Sequence, residues 1–288
     1  MKEGILESIE TAANYHGESH WLVDRRLDAT KKIIDLPKML KLVTPSFKRS
    51  DRDLIKSEAN SNKTVVQVGQ RVIKNDLPDE LDEKGVILTD IFTALREHPR
   101  LIQRYFMDKV INYDESDFTR YHLSMINSGI FLYIPKEVKI KQPIEIQLVQ
   151  DSTTEVPMIS HILVVAEEES EVTFKQSSKT VGNNSNLVQS FVEILARANS
   201  VVNYESIDEF SQNSQVYFKN RGFLNRKSKI NWNISIKNKN KTVGEISNNL
   251  FGSESSANIK LDSQNNNNKI DLPVKKHGKN VNYTETIV

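Results

Sequence analysis

Ser170-Glu171-Val172-Thr173-Phe174, Ser200-Val201-Val202-Asn203-Tyr204 and Ser228-Lys229-Ile230-Asn231-Trp232 repeat one short pattern. A serine sits in a polar turn, an apolar residue follows two positions on, and an aromatic one two further on. Ser255 with Ala257/Ile259 and Lys279 with Val281/Tyr283 extend the series, the anchors lying roughly 24–30 residues apart, a spacing found in repeat architectures. Alternation with period two marks a strand. A unit of strand, polar turn and strand that recurs at such a period marks a β-solenoid. One coil of that length cannot bury its own inward face, so successive coils stack about 4.8 Å apart and share one apolar interior. An antiparallel sandwich or barrel also gives short alternating strands, usually at closer spacing, and stays open on spacing alone. The Asn-rich stretches Asn231-Trp232-Asn233, Asn248-Asn249 and Asn265 to Asn268 read as turns between coils.

Upstream of the repeat the periodicity changes. Ile5, Ile9, Ala12 and Ala13 recur at helical spacing, and Trp21, Leu22, Arg25, Leu27 and Ile33 continue an amphipathic pattern until Pro37, with Pro45 marking a loop. Thr64 to Val68 is a strand candidate, and Asn75-Asp76 and Pro78-Asp79 are turn signals. A further helix is expected around Ile91 to Leu95, capped by Thr89 or Asp90, and another from His98-Pro99 through Val110. After residue 118 short strands take over. The expected organisation is a mainly helical domain over 1–115 and a β-helix over 116–288.

The 288 residues are 38% hydrophobic and 27% charged, enough for a buried core and typical of a soluble fold. Net charge is +1, but Lys219 to Val288 hold 13 Lys/Arg against 5 Asp/Glu, a local +8. These cations are scattered singly among Asn and Ser, without an aromatic stacking platform, so a solvated strand face or an acidic protein partner is expected and nucleic acid is not. The sequence contains no cysteine. Disulfides, thiolate catalysis and a Cys-ligated cluster or zinc are therefore excluded for these residues. Neither a signal peptide nor a run of about 18 apolar residues is present, which gives a cytoplasmic expectation with no membrane partner.

Candidate chemistry is sparse. His16 and His20 stand four apart on a predicted helix, but the metalloprotease glutamate is misplaced and a third ligand is lacking. His161, at the start of His161-Ile162-Leu163-Val164-Val165, reads as a hydrogen-bonded core or edge histidine, and His277 as exposed. Glu167-Glu168-Glu169 and Asp208-Glu209 would have to face one groove at fixed separation to hydrolyse a glycan, and the first group falls in a repeat turn. Val181-Gly182-Asn183-Asn184 is an ordinary turn, and no phosphate-binding Gly-rich loop occurs. Phe174, Tyr204, Trp232 and Tyr283 read as stacked core rather than a ligand stripe. No catalytic, cofactor-binding or metal residue is assigned.

Asn127-Ser128-Gly129-Ile130-Phe131-Leu132-Tyr133-Ile134-Pro135-Lys136-Glu137-Val138-Lys139-Ile140-Lys141-Gln142-Pro143-Ile144 closely resembles the segment that opens the β-helix of the SufB/SufD family. Gly85 to Pro99 with Tyr105-Phe106 resembles the helical lead-in of the SufD branch, and His161 to Glu167 and Phe218 to Leu224 continue the likeness. The resemblance covers about residues 85 to 252. It implies a right-handed parallel β-helix behind a small helical domain. It also implies a non-catalytic, SufD-like scaffold in a SufBCD complex, with a SufB-like subunit paired through the β-helices and a SufC-like ATPase. A second copy of the chain is the other pairing kept open. On this reading the iron–sulfur cluster is assembled transiently on the complex, and no cofactor is bound by this chain alone.

The family continues past the position of Val288 with further strands and a helical domain. The expectation is therefore an incomplete array with an open end, prone to aggregate or dependent on a partner. The family's interface histidine and cysteine belong to that later portion, so no site residue is carried over. The alternatives are a β-solenoid carbohydrate-active enzyme and a purely structural β-solenoid.

Overall fold

A computed structural model describes residues 2–35 and 48–288. The expected interruptions at Pro37 and Pro45 lie outside the described residues. Seven helices are found among them: α1 (Lys2–His16), α2 (His20–Lys32), α3 (Arg52–Ala59), α4 (Asp79–Glu83), α5 (Ile91–Glu97), α6 (Pro99–Ile102) and α7 (Asp117–Met125). The early strands are β1 (Val65–Val68), β2 (Arg71–Asn75), β3 (Ile87–Asp90), β4 (Ser128–Ile134), β5 (Ile144–Ser152), β6 (Met158–Ala166), β7 (Glu171–Gly182) and β8 (Asn186–Ala196). The later ones are β9 (Val201–Glu209), β10 (Ser214–Leu224), β11 (Lys229–Ile236), β12 (Thr242–Leu250), β13 (Ser256–Ser263), β14 (Lys269–Asp271), β15 (Val274–Lys276) and β16 (Asn282–Ile287).

From β4 onward the chain alternates between two sheets, and successive coils pair in parallel. The first sheet runs β16-β13-β11-β9-β7-β5-β1-β2 and the second β14-β12-β10-β8-β6-β4-β3, with β15 beside β12. This is the expected parallel β-solenoid, and it excludes the sandwich. Antiparallel pairing is confined to β1 with β2 and β3 with β4, at the first end of the stack.

The serine anchors have a structural cause. Each coil turns one corner on a single left-handed residue: Glu137, Glu169, Asn199, Lys227, Glu254 and Asn280, with φ between 55° and 65°. After four of these comes a buried serine, Ser170, Ser200, Ser228 or Ser255, whose Oγ donates to the carbonyl three residues back at 2.6–2.8 Å. The hydroxyl satisfies a carbonyl that the sheet no longer reaches. Successive corners draw closer in sequence from Glu137 to Asn280, so the coils shorten along the stack.

The last anchor is corrected by this geometry. Asn280 takes the left-handed corner, which puts Val281 and not Lys279 at the position the serines hold in earlier coils. Tyr283 accordingly stands opposite Ala257 and not Ile259, a register two positions away from the one the sequence spacing implies. Stacking is tight where Gly278 lies over Gly252: a Cβ on Gly278 would sit 2.3 Å from the Gly252 carbonyl oxygen, and one on Gly252 2.0 Å from the Arg226 nitrogen.

Inside, the predicted inward pairs meet in register. Val172, Val202, Ile230 and Ala257 form one column, and Phe174, Tyr204, Trp232 and Ile259 the next. The Tyr204 ring stands 6.0 Å from Phe174 and 5.2 Å from Trp232, whose indole N–H donates to Asn248 Oδ1 at 3.0 Å. Asn231, Asn233, Asn248 and Asn249 therefore lie within strands and not in turns. Asn203, Asn231 and Asn258 instead form an amide ladder on the outer face of the first sheet, each linked to the next at 2.7 Å. Only Asn265 to Asn268 fall between strands as expected.

Helices α2, α5, α6 and α7 cover the outer face of the second sheet. Leu22, Phe92, Leu95, Phe106 and Leu123 pack on Phe131, Leu163, Phe191 and Phe223. The helix expected from Pro99 to Val110 stops at Ile102. Helix α7 begins where strands were expected; its capping box joins Ser116 and Thr119.

Candidate functional site

The densest buried chemistry lies between the helical cover and the second sheet. On a parallel strand pair, residues that alternate outward form columns, and β6 and β8 here contribute His161, Gln189, Phe191 and Glu193 to the outer face. Helix α7 brings His122 down on them. His122 Nε2 and His161 Nδ1 share a hydrogen bond of 3.1 Å. The His122 ring lies flat on Phe191 at 3.7 Å, and Phe106 meets His161 edge-on at 4.8 Å. The three polar residues His122, His161 and Glu193 are sealed from solvent.

Glu193 closes the chain. Its carboxylate accepts the Met107 N–H at 2.9 Å and the Ile111 N–H at 3.1 Å, and stands 3.1 Å from His161 Nε2 without being aligned as a hydrogen bond. Backbone donors aimed at a carboxylate make hydrogen bonds stronger than those between neutral groups. Burial, and then the electrostatic influence of the neighbouring imidazole of His161, hold the His122 imidazole well below its ordinary value, so it is neutral near neutral pH. A sealed imidazole pair with a carboxylate can pin a loop, but it offers no approach to a substrate. Among the described residues, no group of three or more His, Asp or Glu side chains could hold a metal ion.

A second tie is buried next to it. Arg26 pairs with Glu18 and donates to the Ser124 carbonyl through Nε at 3.2 Å and Nη2 at 2.9 Å, joining α2 to α7. Where the cover ends, Glu115 and Glu245 bracket Lys219 and Arg221 at 2.7–3.2 Å. Burial alone would raise Glu245, but hydrogen bonds from Lys219, Ser247 and Arg221 outweigh it and bring its carboxyl down to about 2.

The histidines and acids singled out in the sequence are not brought together. His16 ends α1 and His20 begins α2, with Gly17 at φ 62° between them, so they do not share a helix face. His16 stacks on Phe92 at 4.0 Å, and burial, reinforced by Arg26 and Arg96, lowers it to about 4. It lines a cleft of about 920 Å³ with Arg49, Arg71, Asp90, Arg96 and Gln67. His20 and His277 are exposed. Glu167 pairs with Arg197 at 3.4 Å in its repeat turn, and Glu168 with Lys136 at 3.7 Å. Asp208 faces inward beside Gln176 and Ser178, and burial lifts its carboxyl to about 6, while Glu209 is exposed. His122 and Glu193 belong to no motif in the sequence. The one local signal for the helix bearing His122 is the Ser116 and Thr119 cap.

Comparison with known proteins places these features in a family. Residues 57–146 match the family described as "SufBD protein N-terminal region", and residues 148–276 match "SUF system FeS cluster assembly, SufBD core domain". The iron-sulfur cluster assembly protein SufD of Bacillus subtilis is 31% identical, the match covering 85% of this chain and 62% of that protein. An iron-sulfur cluster assembly SufBD family protein of Staphylococcus aureus USA300 is 23% identical over 80% of this chain and 56% of its own length. One from Staphylococcus epidermidis is 26% identical over 58% and 36%. The chain thus spans less than two thirds of the length of the curated relatives it matches. With both family regions in sequence order and a parallel β-solenoid behind a helical cover, the chain belongs to the SufB/SufD family of iron–sulfur cluster assembly proteins.

Proposed function

We propose that the chain acts as a SufD-like, non-catalytic scaffold subunit of a SufBCD-type assembly complex in the cytoplasm. Its partners are a SufB-like subunit, met through the β-helix, and a SufC-like ATPase, and the iron–sulfur cluster is cargo built on the assembled complex. The observation that carries this reading is where the core-domain match falls: residues 148–276 are the stacked coils themselves, from β5 to β15. A stack of this kind offers long strand faces and edges for pairing. The mainly helical part, 1–115, serves on this reading as a cover that stiffens the β-helix of 116–288.

Co-expression with a SufB-like and a SufC-like chain, followed by size-exclusion chromatography with light scattering, tests the proposal. The expected result is a single species that contains all three chains and forms clusters, by visible absorbance, when given iron and a sulfur source. A chain that pairs only with itself, or cluster formation unchanged by its omission, overturns it. Turnover of a polysaccharide by the isolated chain would establish the carbohydrate-active alternative instead.

A further inference from the structure

We propose that the ledge around Phe251 is a docking site for an acidic polypeptide segment that carries an apolar side chain. Phe251 follows β12 and is 54% exposed, whereas Phe223 beneath it is 6% exposed. The two rings stack with centroids 5.2 Å apart and 29° between planes, and Phe223 in turn packs into the cluster under the helices. The exposed ring is therefore seated on a rigid support. An aromatic side chain held in one position in the free protein loses little freedom on binding, which favours it as an anchor.

A lysine lies beside it. The Lys109 ammonium lies 4.8 Å from the centroid of Phe223 and 5.8 Å from that of Phe251, and the His277 ring is 6.2 Å from Phe251. The exposed Arg226 lies on the turn whose backbone meets Gly252, while the Lys276 ammonium is engaged elsewhere, 5.8 Å from the centroid of the Tyr283 ring. The ion pairs of these coils go to Lys219, Arg221 and Lys227, which leaves Lys109 and Arg226 without an acidic partner among the described residues. An exposed apolar anchor beside cations that lack an acidic partner is complementary to carboxylates flanking an aliphatic or aromatic side chain. Nucleic acid fits less well, because one ring offers no row of stacking surfaces. The ledge joins Lys109, from before the β-helix, to residues of three successive coils, so it exists only in the folded chain. The inference does not depend on the assembly role and is tested on the chain alone.

A fluorescein-labelled Asp/Glu-rich peptide with a central leucine serves as the probe, read by fluorescence anisotropy. Binding is expected to weaken at least about tenfold for Phe251→Ser and to survive in Phe251→Tyr, with far-UV circular dichroism reporting the fold of both. It should also weaken for Lys109→Gln, on raising the salt concentration, and when the leucine is replaced by serine. Equal binding by Phe251→Ser, no binding by the parent chain, or tighter binding of a labelled DNA duplex irrespective of Phe251 would each overturn the proposal.

Discussion

Replacing Glu193 by Gln changes one buried atom and should loosen the joint between helices and solenoid. In the native protein one carboxylate oxygen accepts the Met107 N–H at 2.9 Å and faces His161 Nε2 at 3.1 Å, while the other accepts the Ile111 N–H at 3.1 Å. An amide keeps the shape but has a single accepting oxygen, so in either orientation its NH2 confronts a backbone N–H. One buried donor then loses its acceptor, at about 1–3 kcal/mol. The surviving bond loses the assistance of a full charge, about 1 kcal/mol more. Met107 adds leverage: its φ of 47° is left-handed for a non-glycine residue and persists only while its surroundings enforce it. The expected loss is about 2–4 kcal/mol in urea denaturation, with faster hydrogen exchange confined to the segment around Met107 and Ile111. Glu115→Gln is the control, since Glu115 is partly exposed and Glu245 still neutralises Lys219 and Arg221; it should cost less than about 1 kcal/mol. A loss for Glu193→Gln no larger than that of the control, with unchanged exchange at Met107 and Ile111, would refute the role given to this carboxylate.

Gly252→Ala places a Cβ 2.0 Å from the Arg226 nitrogen, a contact with backbone that no rotamer relieves, so the denaturation midpoint should fall by the equivalent of about 3 kcal/mol; a midpoint within error of the parent would show that the corner yields freely. Acid should destabilise the fold through His122, whose proton affinity is depressed in the folded chain relative to an ordinary 6.5, so stability present at neutral pH is lost as pH falls below about 6.5, by at most about 1.4 kcal/mol per pH unit. His16, lowered to about 4, adds to the loss in the same sense, while Asp208, lifted to about 6, acts in the opposite sense between there and 3.8 and blunts it. His122→Asn keeps a polar group but does not titrate, and should reduce the loss between pH 6.5 and 5; an unchanged slope would assign it to other groups.

The fold was legible in the sequence because a solenoid writes its period into the chain. The serine at each corner, the inward pair that follows it and the spacing from Ser170 through Ser200 and Ser228 to Ser255 all survive, since each reports a local requirement repeated in register: a hydroxyl to close the turn and apolar side chains to fill one column. The period failed where the signal changed type. In the last coil Val281 takes the serine's place after the left-handed Asn280, and an alignment seeking a polar anchor settles two positions early on Lys279. Asparagine misled for a related reason. Its turn propensity is a statement about short-range competition for backbone hydrogen bonds, yet Asn203, Asn231 and Asn258 spend their amides on one another across coils, an option that exists only once the strands are stacked.

The buried ionic chain lay beyond such reading because its members come from three separate local contexts. His161 looks like a core histidine in an apolar strand, and that is what it is, but nothing near it in sequence announces Glu193 on the next coil or His122 on a helix where strands were expected. The coil length brings them together. It sets His161 opposite Phe191 and Leu163 opposite Glu193, so the carboxylate falls on the same face of the neighbouring strand, one outward position along from the imidazole's partner. Phe191 in turn provides the flat surface on which His122 rests at 3.7 Å. Changing that coil length by one residue would turn Glu193 from the outer face of the sheet into the apolar interior, where neither backbone donor can reach it. The spacing that stacks the core therefore also fixes the site that fastens the helices to it. Insertions into the turn between β7 and β8 must then be tolerated only as loops that leave the register of Glu193 unchanged.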